Sequence, residues 1–309
     1  MVISRLGKAA AAALLICTVP FAGASAQSLS VDAQAIEILD RAGYQRALVE
    51  RMVAHSCHIN IGAHSGDVER MQRDIAKFEA TLDLIRNGEG DIPAVRAPRP
   101  LHYFKDVEEQ WVVLSNYARY STRGEMPDAY LSGLVNAEPA LLEPLEKFVG
   151  ALVRVYGVGR LTPFETNTMN NLARMRMLAN KVALAHCKMA SPAFDAAAAR
   201  DMLENTLDFL DQSIDLAVRG SDDARVIAAS GTTLDAIQCI RDDFDLARAQ
   251  LATALNTGAA DADDVDRTAD LLLKIEFDAN AALKAYEATL LGQEPKFESC
   301  ATVEVARAS

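Results

Sequence analysis

The chain has 309 residues, half of them hydrophobic, with 31 Lys and Arg against 43 Asp and Glu and a formal charge of -12. So acidic a balance excludes a nucleic-acid partner, which would need a basic face to neutralise phosphates. Beyond residue 26 no apolar run is long enough to cross a bilayer, which excludes a transmembrane segment in the mature chain.

Residues 1 to 26 read as an export signal. Arg5 and Lys8 supply the positive start, Ala9 to Phe21 the short apolar core, and Ala24-Ser25-Ala26 the small-residue cleavage site. Cleavage is expected before Gln27, with the mature protein in the periplasm. It leaves 29 basic against 43 acidic residues, a charge of -14. Cys17 follows the bulky Ile16, a poor neighbour for lipid attachment, and is expected to leave with the signal. Four cysteines remain, Cys57, Cys187, Cys239 and Cys300. An even number in an exported chain favours disulfides, with three possible connectivities.

The remainder is rich in Ala, Leu, Glu, Asp and Arg and lacks sustained alternation of apolar and polar residues, so the fold class is all-α. Asp32 as N-cap opens a helix that runs to about Ile61. Further helices are expected over 66–87, 103–121 and 129–156, with residues 88–100, which carry Pro93, Pro98 and Pro100, as a loop. Gly157-Val158-Gly159 breaks the chain. Thr162-Pro163-Phe164-Glu165 then combines an N-cap threonine, proline at the first helical position and glutamate two residues on, a capping box. Helices over 194–219, 223–256 and 262–291 follow, with Gly220 to Asp223 as a much shorter counterpart of the proline loop. Residues 292–309 form an irregular tail.

The chain also reads as one unit written twice. Residues 42–52 align with 172–182 at a spacing of 130, placing Arg46 on Arg176, Leu48 on Leu178 and Arg51 on Lys181. Cys57 falls on Cys187, Leu141-Leu142 on Leu271-Leu272 and Tyr156 on Tyr286 at the same spacing. Leu82-Asp83-Leu84 with Gly88 matches Ile214-Asp215-Leu216 with Gly220 at 132, a drift that belongs in a loop. The units are 30–158 and 160–291, and four helices in each imply two tandem four-helix bundles.

The repeated segment resembles the signature of the type IV pilus chemotaxis transducer N-terminal (PilJ-type) domain, shared with the periplasmic sensor of nitrate/nitrite histidine kinases. That signature runs like N-x-A-G-R-Q-R-M-L-S-Q-R-M. In the first unit Ala42, Gly43, Gln45, Arg46, Leu48, Arg51 and Met52 match, while Asp40, Tyr44, Ala47, Val49 and Glu50 depart. In the second, Asn170, Arg174, Arg176, Met177 and Leu178 match, while Leu172, Ala173, Met175 and the segment from Ala179 to Val182 depart. In such sensors paired arginines from two first helices hold the anion at a dimer interface. The resemblance therefore implies ligand binding by Arg46 and Arg176, with Arg51 and Lys181 as secondary basic contributors, and a membrane-bound signalling partner. Two guanidinium groups about 6 Å apart repel by roughly 3 kcal/mol at an effective dielectric near 20, so a shielded pair wants an anion between them. The competing expectation is an ordinary intrahelical ion pair between Arg46 and Glu50.

If the arginines meet because the two first helices lie side by side and parallel, the cysteines eleven residues on meet as well. That arrangement bonds Cys57 to Cys187 and leaves Cys239 to tie the tail through Cys300. The alternative pairs Cys187 with Cys239 and Cys57 with Cys300. No cofactor and no metal ligand is assigned, and the alternatives to ligand binding are a non-catalytic structural or adaptor bundle and, after it, a periplasmic metal-binding protein. His55 and His58 share a helix face, but Cys57 points elsewhere, and adding His186 and Cys187 fits no established ligand spacing. No nucleophile elbow, phosphate loop or zinc-protease helix is present, so the reading is of a non-enzyme. Glu108-Glu109 and Asp242-Asp243 read as solvated helix faces and Trp111 as core.

Overall fold

The computed structural model describes residues 29–63 and 66–308, so the expected signal and its cleavage site lie outside the described residues. Eight long helices follow one another: α1 Val31–Ile61, α2 Asp67–Asn87, α3 Pro98–Ser121, α4 Asp128–Leu152, α5 Pro163–Ala190, α6 Ala196–Arg219, α7 Gly231–Thr257 and α8 Ala262–Leu290. A π-helical turn, Val153–Gly157, ends α4, and a short α9, Val303–Ala308, closes the chain. Among the described residues the only β pairing is two isolated bridges, so the protein is all-α as expected.

Helices α1 to α4 close a ring in which α1 and α3 each pack on α2 and α4, and α5 to α8 repeat that arrangement. The two rings join chiefly where α1 packs along α5, with α8 also reaching α1. α1 is therefore surrounded, and from Gln45 to His58 every residue is buried. A helix enclosed on all sides would ordinarily be apolar all round, yet α1 carries Asp40, Arg46, Glu50, Arg51, His55 and His58 into the interior. Each must find a partner there, because an unpaired buried charge is costly. Trp111 is buried as expected, its ring stacked on Phe78 with centroids 3.9 Å apart.

α1 and α5 run parallel. Cys57 on α1 is bonded to Cys187 on α5, with Cα atoms 6.1 Å apart. Beyond it Ser191 Oγ donates to Asn60 Oδ1 at 2.8 Å. Cys239 is bonded to Cys300, which draws the tail onto α7. The tail is less irregular than expected, since α9 forms and Arg307 grips Asp270 on α8 through two bonds of 2.8 Å.

Several helix ends move from their expected places. Ser30, not Asp32, caps α1, its Oγ accepting from the Ala33 N–H. α3 begins at Pro98 instead of 103, because first-turn residues have no intrahelical acceptor to lose and proline is tolerated there. The capping box at Thr162 forms as expected. The largest correction concerns α7, which starts at Gly231 rather than 223, so the second connection is no shorter than the first.

The two connections share one design. Gly88 N–H donates to Leu84 O, Glu89 and Ile92 exchange backbone bonds, and Val95 N–H returns to Ile85 O. In the second, Gly220 donates to Leu216, Ser221 and Val226 exchange bonds, and Ala229 returns to Ala217. The second simply holds two more residues between its bridged pair. Both glycines have positive φ, +79° and +68°. A Cβ would lie 2.6 Å from Ile92 O at Gly88 and 2.7 Å from Ala228 N at Gly220, so no other residue fits without the loop moving.

Candidate functional site

The four expected basic residues lie on α1 and α5, each held from another helix. Arg46 Nη1 donates to both oxygens of Glu146 on α4, at 2.9 and 3.0 Å, and its Nη2 crosses to Asn170 Oδ1 on α5 at 3.2 Å. Arg176 crosses the other way. Its Nη2 donates to Asp40 Oδ1 on α1 at 3.0 Å and its Nη1 to Asn280 Oδ1 on α8 at 2.8 Å, while its guanidinium lies 4.8 Å from the centre of the Tyr44 ring. Asp40 and Asn170 are themselves 130 apart, as the arginines are.

Arg51 is tied differently. It forks onto Asp74 of α2 and donates through Nη1 to Glu276 Oε1 of α8 at 2.9 Å, an oxygen that also accepts from Tyr44 Oη at 3.1 Å. Glu276 stands 130 residues after Glu146, yet its partner is Arg51 rather than Arg176. Lys181 Nζ lies 3.4 Å from Glu50. The intrahelical Arg46–Glu50 pair suggested by spacing does not form, because Arg46 turns to α4 and Glu50 to α5.

Electrostatically this layer neutralises itself. Burial alone would raise the Asp40 carboxyl, but Arg176 and then Lys284, whose Nζ is 2.8 Å away, hold it below the ordinary value. Burial opposes the charge of Asp74 likewise, and Arg51 and His55 bring it down to about 2. Glu50 goes the other way. Buried, and facing Glu138 of α4, it is pushed up to about 8 despite Lys181, and Glu138 is also raised. These two carboxyls hold on to a proton at neutral pH, because two negative charges cannot both be kept dry.

Arg46 and Arg176 line one cleft of about 400 Å³, part of it open to solvent. Its walls are mostly apolar, with Leu39, Val149, Val153, Met169 and Leu283 around the polar set of Asp40, Asn170 and Thr166. Arg51 lies outside this cleft, facing a separate hollow with Tyr44, Lys77 and Glu276, and Lys181 lines neither. The structure thus brings together two of the four expected residues.

Sequence reasoning missed the carboxylates that complete the layer: Asp40, Asp74, Glu138, Glu146 and Glu276. Glu146 and Glu276 carried a signal in their shared spacing of 130, as Asp40 did in its spacing from Asn170. Asp243 is also not the solvated residue expected, being buried with Lys274 Nζ at 2.5 Å. Cys57 and Cys187 are consumed by their bond, and His186 turns away to Thr268 Oγ1 at 2.8 Å. In comparisons with known proteins, no family model, no curated protein and no solved structure matches this chain. The likeness to PilJ-type domains therefore rests on the two arginine-bearing segments.

Proposed function

We propose that the protein is a non-catalytic, exported binding protein that holds a small oxyanion between α1 and α5 and presents the bound state to a membrane-bound partner in the periplasm. The observation that carries this reading is the shared cleft of Arg46 and Arg176 with its apolar walls. Arg176 is fixed, 1% exposed and tied to Asp40 and Asn280. Arg46 is the exchangeable one, because its partner Glu146 has a side chain 55% exposed and can leave for water when a planar anion takes its place on the guanidinium fork. Two disulfides support an oxidising compartment. The resemblance to nitrate-sensing domains supports the choice of these arginines over Arg51 and Lys181.

Thermal unfolding with nitrate, nitrite and small carboxylates tests the reading. A ligand present at a hundred times its Kd stabilises by about 2.7 kcal/mol, well within detection. Saturable stabilisation by at least one anion is expected, lost in Arg46→Ala and strengthened in Glu146→Ala, which removes the competing carboxylate. No stabilisation of either the native protein or Glu146→Ala would defeat it.

One observation favours a second reading, a helical scaffold or adaptor. Every expected cation already has a carboxylate, so the arginines suffice as cross-links between α1, α4, α5 and α8. On that reading Arg46→Ala lowers stability and no anion changes it.

A further inference from the structure

Near the disulfide-bonded ends of α1 and α5, a second polar cluster lies apart from the arginine cleft. His55 and His58 leave α1 on one face, one turn apart, and meet Asp67, the first residue of α2. His55 Nδ1 is 2.7 Å from Asp67 Oδ1 and His58 Nδ1 is 3.2 Å from Asp67 Oδ2. One ligand atom from each of the three lies within 4.8 Å of the others, and all three residues are buried. We propose that His55, His58 and Asp67 form a binding site for one divalent first-row transition ion of the zinc type.

The donor set fits such an ion. Two imidazole nitrogens and one carboxylate suit zinc, and three protein donors leave a position for water or another ligand. Calcium and magnesium prefer all-oxygen sets and fit poorly. Charge balance alone does not account for the arrangement, because Arg70 already grips Asp67 Oδ1 through Nη2 at 2.8 Å and Nε at 3.2 Å. A single buried carboxylate so neutralised has no need of two further imidazoles turned toward it by the same ring nitrogen.

The surroundings match what metal-binding histidines require. Behind His55, its Nε2 lies 3.5 Å from Asp74 Oδ2, and Asp74 is in turn forked by Arg51. A carboxylate on that side of the imidazole raises the basicity of the opposite nitrogen. The cavity beside the three donors has apolar walls in Ala183, Leu272 and Leu273, with Asn180 and Arg70 as its other polar lining. His55 is nine residues from Arg46, about 13 Å along α1, which keeps this site independent of anion binding.

The test uses the native protein with both disulfides formed, stripped of metal with a chelator and titrated with Zn²⁺ by calorimetry and by competition with a chromophoric chelator. One equivalent is expected, with affinity weakened at least tenfold in His58→Gln and in Asp67→Asn and unchanged in His102→Gln, which alters an exposed histidine on α3. Far-ultraviolet circular dichroism accompanies each variant to show that it is folded. X-ray absorption of the native zinc complex is expected to show two imidazoles and needs no variant at all. Absence of stoichiometric uptake by the native protein, uptake that a folded His58→Gln retains, or fewer than two imidazoles on the metal would each overturn the proposal.

Discussion

Arg46 and Arg176 cross the α1–α5 contact in opposite directions, each donating to the side chain six positions before the other. Contacts of the form i to j and j to i are what a two-fold axis between like surfaces produces, normally between two subunits. Here they occur within one chain, with a disulfide between residues related by the same interval of 130. The symmetry is incomplete where the charges matter most: Asp40 faces Arg176 but Asn170 faces Arg46, and Glu50 corresponds to Asn180.

That asymmetry predicts unequal roles for the two arginines in stability. Arg176→Ala strands the buried Asp40 with Lys284 alone and is expected to cost about 3 to 5 kcal/mol, the range for breaking a buried ion pair. Arg46→Ala releases Glu146 toward solvent and is expected to cost about 1 kcal/mol. Urea unfolding of both variants checks the order, and equal losses would refute it.

Both disulfides close long loops, of 130 and 61 residues. Loop-closure entropy assigns each about 4 to 5 kcal/mol, so Cys57→Ser with Cys187→Ser and Cys239→Ser with Cys300→Ser should lower the melting temperature comparably. Limited proteolysis separates them. Only the second pair should expose residues 292–308 to cleavage while the helices stay protected, because that bond is the tail's covalent link to α7.

Stability should fall as pH rises through the range set by Glu50. In the unfolded chain this carboxyl ionises near 4.5, whereas in the folded protein burial, and then Glu138, hold its proton to about 8. Between those values the unfolded state has released a proton that the folded state keeps, so the stabilisation is complete below about pH 4.5 and lost as pH approaches 8. His186, pushed down to about 4 by burial, acts in the opposite sense between 6.5 and 4 and cancels when two proteins sharing it are compared. Glu50→Gln should therefore gain on the native protein by about 3 °C or more in melting temperature between pH 5 and pH 8. Parallel curves for the two would show that Glu50 does not titrate in this way.

The matched loops give a further test. Gly88→Ala and Gly220→Ala each combine a left-handed backbone with a Cβ pressed on main-chain atoms, and each should cost clearly more than 1 kcal/mol. Gly62→Ala, at φ +71° with nothing within 4 Å of the new Cβ, bears only the backbone cost of about 1 kcal/mol. Chemical denaturation should rank Gly62→Ala as the mildest of the three.

What could be read from sequence was what is encoded locally or by repetition. Composition and the absence of two-residue alternation were enough for the all-α class, and Thr162 to Glu165 marked a helix start because a capping box uses only neighbouring residues. The interval of 130 was legible too, and with parallel first helices it led to Cys57–Cys187. The partners of the arginines were not legible. Glu146, Asp74 and Glu276 come from three other helices, and no periodicity within α1 says which carboxylate will face it. The start of α7 was missed because residues 223–230 have helical composition, while the bonds of Ser221 with Val226 and Ala229 with Ala217 hold them in a loop. The histidine cluster was half visible: spacing aligned His55 and His58, but Asp67 reaches them only because the chain turns back after α1.

The bond between Cys57 and Cys187 lies within a turn of the C-terminal ends of α1 and α5, and it acts as the rivet of a pair of shears. Sliding of one helix along the other is barred at that end, and the halves cannot part or exchange with those of another molecule. The freedom that remains is a change of angle about the rivet, whose displacement grows with distance from it. Arg46 and Arg176 lie about 16 Å up the blades, so a tilt of about 4° moves them by about 1 Å, enough to make or break a hydrogen bond.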